Sequence, residues 1–164
     1  MKKLVSSLVQ WISSLGGPMV VVPEVLMGSW KGDEGDDYEK SCVVDSYAGL
    51  IDVDGGDALV LGDVPDDTAY LSKEMTFIRW GGAESEGQLI DWVQNGCLGG
   101  VEVQNITWNC KGRSFLFDSV YPADEINEFS EIPLVSGAYD VRVIVFSGSF
   151  SATAFRLSRG FYQG

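Results

Sequence analysis

Apolar residues in this chain come in short runs separated by turn residues. Met19-Val20-Val21-Val22 is an unbroken apolar block after the turn signal Gly16-Gly17-Pro18. It reads as a buried strand, with residues 8–15 as the other arm of a first hairpin. Pro23 suits the first turn of a short helix through Glu24-Val25-Leu26-Met27, which Gly28 ends. Asp37 is placed to cap a second short helix, with Tyr38 and Cys42 four residues apart on one face. Residues 47–53 and 58–62 are apolar runs divided by Asp54-Gly55-Gly56-Asp57, whose glycines accept the positive φ of a tight hairpin turn.

Residues 75–80 predict another strand, stopped by Gly81-Gly82. One substantial helix follows, near 85–95. Ser85 stands as N-cap with Gln88 three residues on; Leu89, Ile90, Trp92 and Val93 recur at helical spacing, and Asn95-Gly96 ends the run. The remainder reads as strand: 101–109, a Lys111-Gly112 turn, 113–120, then 139–146 and 150–157 around Ser147-Gly148-Ser149. Val141, Val143 and Val145 alternate as in a half-buried strand. The predicted class is mostly β (α+β): an antiparallel sheet assembly or sandwich with one substantial helix and short helical turns, in one domain spanning 1–164.

Charge changes this picture. The chain of 164 residues carries a formal net charge of −13, and residues 33–67 hold 12 of its 24 Asp and Glu against one base, Lys40. Unpaired carboxylates in that number cannot be buried. Yet Val43, Val44, Leu50, Ile51, Leu59, Val60 and Leu61 are interleaved with them, which describes a folded surface with a charged face rather than a disordered acidic tail. Such a face repels nucleic acid and anionic membranes and attracts a basic protein. Nothing in the pattern sets an oligomeric state.

Histidine is absent and the three cysteines have no C-x-x-C spacing, so the usual general base, the zinc ligand sets and a disulfide framework all lack support. A reducing, cytoplasmic compartment is the simpler expectation. Met1-Lys2-Lys3 with the apolar residues after it has the outline of a secretory signal, but Gln10, Trp11 and two serine pairs interrupt it, and no signal peptide is expected.

Two chemistries compete with plain structural roles. Asp52-Val53-Asp54-Gly55-Gly56-Asp57 suggests calcium, but the EF-hand order of ligands and glycine is not met, so a charged hairpin turn is the reading and no metal ligand is assigned. Asp36-Asp37 and Asp66-Asp67 invite an acid and base pair for glycoside cleavage, yet nothing sets two carboxylates across a cleft, and no catalytic residue or cofactor is assigned. Of the five tryptophans, Trp80 and Trp92 belong with buried elements, while Trp30, followed by a charged loop, is the candidate for exposure.

The segments Trp11-Ile12-Ser13-Ser14-Leu15-Gly16-Gly17-Pro18, Asp37-Tyr38-Glu39-Lys40-Ser41-Cys42, Ala58-Leu59-Val60-Leu61-Gly62-Asp63 with Pro65 and Thr68, and Phe77-Ile78-Arg79-Trp80 before Ala83-Glu84-Ser85-Glu86 together resemble the bacterial immunity protein 21 family. The resemblance covers roughly the first 95 residues in order. It implies a mostly β protein, without turnover of its own, that binds and blocks the C-terminal domain of a polymorphic toxin in the producing cell. Contact residues come from charge alone: Asp33, Glu34, Asp36 and Asp37, a second patch at Asp66 and Asp67, and Trp30 as anchor. Asp124, Glu125 and Glu128 form the runner-up surface. The competing expectation is a calcium- or carbohydrate-binding β module.

Overall fold

The all-apolar run at 19–22 is buried on both faces because it lies at the centre of a sheet that is itself covered on both sides. The computed structural model describes residues 9–160 except 63 and 65. In chain order they form β1 (Met19–Pro23), α1 (Asp37–Cys42), β2 (Ala48–Val53), β3 (Gly56–Leu61), β4 (Thr68–Leu71), β5 (Thr76–Arg79), α2 (Glu86–Gln94), β6 (Val101–Cys110), β7 (Ser114–Asp118), β8 (Ser130–Ile132), β9 (Gly137–Ser147) and β10 (Ser151–Arg159). The sheets run β2-β3-β1-β7-β8 and β4-β5-β10-β9-β6, with every pairing antiparallel. This is the expected antiparallel sandwich.

Alternation along each strand divides the apolar residues among three layers. Met19, Val21, Leu59, Leu61 and Leu116 of the first sheet meet Phe77, Trp108, Val141, Val143 and Phe155 of the second. Val20, Val22, Val60 and Phe117 point the other way, under Leu26 of the 3-10 turn Glu24–Ser29 and under Trp30. On the far face of the second sheet, Ala69, Ile78, Ala152 and Ala154 receive Leu89, Ile90, Trp92 and Val93 of α2. Ser85 Oγ accepts from Gln88 N (3.2 Å), the cap expected there.

The β2–β3 hairpin turns at Asp54-Gly55, with φ of +51° and +85°, the double positive φ of a type I′ turn. The second glycine, Gly56, begins β3. Arg79, from one of the family-like segments, is buried between the sheets; its Nη2 donates to Leu61 O (3.3 Å) and Gly62 O (2.5 Å), and its guanidinium lies 5.0 Å from the Phe155 ring centroid. At one open side, a bulge at Val103 of β6 turns Gln104 toward β2. There the amide accepts from Ala48 N (3.0 Å) and donates to Ala48 O (2.6 Å).

One expectation needs correction. The first hairpin does not form: β1 pairs with β3 and β7, while the preceding segment contributes the single bridge Ile12 to Thr68. Both edges of β1 are taken by the apolar strands β3 and β7, and the polar Gln10, Ser13 and Ser14 bond elsewhere. Leu8 and the signal-like residues before it lie outside the described residues. The expected Lys111-Gly112 turn carries the chain from one sheet to the other. Short β4 and β8, flanked by acids, had no legible strand pattern. Among the described residues, no helix is long and apolar enough to cross a membrane.

Candidate functional site: an acidic face built from two segments

Two 3-10 turns far apart in sequence, Gly32–Glu34 and Ala123–Glu125, are brought together on the first sheet's side of the molecule. Asp33 N donates to Val120 O (3.1 Å), Ala123 N to Trp30 O (3.3 Å) and Trp30 Nε1 to Tyr121 O (2.7 Å). Gly32 permits the approach: its φ is +55°, and a Cβ there would fall 2.4 Å from the Tyr121 carbonyl carbon. The primary and runner-up acidic segments are therefore one surface.

Asp33, Glu34, Asp124 and Glu125 are all exposed on it. A hydrogen bond that the protonated Glu125 carboxyl donates to the Glu34 side chain, then the Glu34 charge, hold Glu125 above the usual carboxylate range, with slight desolvation and the charges of Asp124 and Asp33 adding to the shift. Carboxylates this close repel, and a cation placed among them relieves the repulsion.

The other predicted residues have different places. Trp30, expected to be exposed, is 1% exposed, because its ring packs edge-on against Phe117 (5.6 Å) beneath the two turns. It supports the face from behind. Asp37, expected on the surface and as the helix cap, is buried; the N-cap position falls to the exposed Asp36, and Asp37 Oδ2 accepts from Lys31 N (2.7 Å), fixing the loop that leads into the first turn. Asp66 and Asp67 stand at the start of β4, on the other sheet, and do not extend the face. Glu128 Oε1 accepts from Ser13 N (3.0 Å).

The residue that sequence reading missed is Asp118. It is 1% exposed at the end of β7; Oδ2 accepts from Leu15 N (2.6 Å) and Ser14 Oγ (3.4 Å), and Oδ1 from Val120 N (2.9 Å). A lone acid closing the apolar run Phe115-Leu116-Phe117 was the available signal, since a buried carboxylate requires donors. By fixing Val120, whose carbonyl binds Asp33, Asp118 positions the acidic face. Asp118→Ala is expected to lower stability by about 3 kcal/mol, read as a shifted urea midpoint with unchanged slope.

The remaining chemistry is structural. Asp52 Oδ2 accepts from Gly55 N (3.4 Å) and Asp54 Oδ2 from Ser29 Oγ (3.2 Å), so carboxylates of the calcium-like loop hold its own turn. Among the described residues, no group of three or more His, Cys, Asp or Glu is placed to hold a metal ion. Trp11 and Trp80 pack on each other (5.0 Å), and Trp92 and Trp108 are buried with their ring nitrogens donating to Leu98 O and Asp57 O.

The family described as immunity protein 21 matches residues 10–150 of the chain. No curated protein and no solved structure gives a match.

Proposed function

Because the chain belongs to the immunity protein 21 family, we propose that it binds the C-terminal domain of a cognate polymorphic toxin directly and neutralises it in the cytoplasm of the producing cell. It acts by occupancy, without turnover. The observation that carries the electrostatic form of this reading is the joined face of Asp33, Glu34, Asp124 and Glu125, where crowded like charges favour a basic partner. The chain's net charge of −13 disfavours nucleic acid as that partner.

The test is co-expression with the toxin domain encoded beside it, scored by rescue of growth and by co-purification. Association measured by stopped flow is expected to slow at least ~10-fold between about 0.01 and 0.15 M salt, as the screening length contracts from about 30 Å to about 8 Å. Rescue without co-purification would remove direct inhibition. A rate indifferent to salt would remove the steering.

A further inference from the structure

Beside the acidic face the surface opens into a cavity of about 190 Å³ lined by Met27, Phe115, Ala123, Ile126 and Phe129. At about 30 Å³ per water this is room for roughly six waters, or one large side chain. Phe129 is 46% exposed, yet it is held in place: Gln10 Nε2 donates to its carbonyl (2.8 Å), and its ring stands edge-on to Phe115 (5.6 Å). An aromatic ring fixed half out of the surface beside an apolar hollow has the composition of an interface centre.

The rim fixes the character of the occupant. Ala123, in the wall, belongs to the same 3-10 turn as Asp124 and Glu125. Arg113 lies 5.4 Å from the Phe115 ring centroid, but its charge is taken by Glu24 (3.2 Å) and by Glu131. The surroundings of the hollow are therefore apolar inside and negative outside.

We infer that this groove receives an aliphatic or aromatic side chain flanked by lysine or arginine on the toxin domain, the acidic face engaging the flanking cations while the groove holds the apolar residue. The inference rests on the immunity reading and adds the anchor that charge alone lacks. Rim charges set mainly how fast partners meet, whereas a buried anchor sets how slowly they part.

Two variants test it against the adjacent gene's toxin domain, with binding followed by interferometry and folding by thermal melts. Phe129→Ala removes one wall, and Ala123→Leu fills the hollow. Each is expected to keep a near wild-type melt and association rate and to dissociate about 10-fold faster. Wild-type dissociation in both variants, with tight binding by the unmodified chain, would overturn the groove and leave the immunity reading standing. An unmodified chain that does not bind would overturn both. A concentration-dependent dimer of the free chain that Phe129→Ala abolishes would overturn the inference by assigning the groove to a second copy.

Discussion

Trp30→Ala is expected to cost about 4 kcal/mol of stability, within the range of about 3–5 kcal/mol found when a buried aromatic is cut to alanine. The ring is enclosed with Val20, Val22, Val60 and Phe117, and its Nε1 bond to Tyr121 O is one of three that hold the two acidic turns together. The measurement is a urea midpoint. Trp30→Phe keeps an aromatic ring but loses the hydrogen bond and part of the indole's volume, so a smaller loss of about 2 kcal/mol is expected. Were Trp30→Ala to leave the midpoint unchanged while abolishing partner binding, the side chain would be a contact, as its position before a charged loop first suggested.

Neutralising Asp33, Glu34, Asp124 and Glu125 together, to Asn and Gln, is expected to slow association with the proposed toxin partner by about 10 to 10²-fold at low salt and to flatten its salt dependence. Stability should move the other way. With its carboxyl titrating above the ordinary 4.5 in the folded state, Glu125 holds its proton more tightly there than in the unfolded chain. Stability from that proton is fully present below about pH 4.5 and is lost as pH rises through the raised value. At neutral pH the pair is therefore a liability, and Glu34→Gln alone should raise the melting temperature and flatten the stability profile on the acid side. A basic partner removes the same liability, so binding at mildly acidic pH should release protons, measurable by calorimetry in buffers of different ionisation enthalpy. A melting temperature lowered by Glu34→Gln would contradict the repulsion.

Why some of this was legible and some was not follows from which forces are local. The capping of α2 by Ser85, the Asp54-Gly55 turn and the β9–β10 hairpin depend on residues adjacent in sequence, and their signals were readable. The family-like segments correspond largely to structural parts: α1, β3, β5 and the start of α2. They belong to the framework of the fold, within the span 10–150 that the family match covers. The acidic face depends on a tertiary meeting of residues 30–34 with 120–125, which no local pattern encodes, so its halves were read as rivals. Trp30 and Asp37 were misplaced for a related reason. Their sequence neighbours are polar, but a folded loop turns one side chain inward at each step, and only the tertiary partners, Phe117 for one and the Lys31 amide for the other, determine which.

The Gln104 amide bears on something other than binding. Ala48 stands on the outermost strand of its sheet, where backbone donors and acceptors ordinarily remain open to a strand from another molecule. Because the bulge in β6 delivers one side-chain acceptor and one donor to that residue, each side of the molecule closes part of the other. An intruding strand would first have to displace both bonds. The sandwich is thereby protected at this corner from edge-to-edge polymerisation, the characteristic failure of an antiparallel sheet at high concentration.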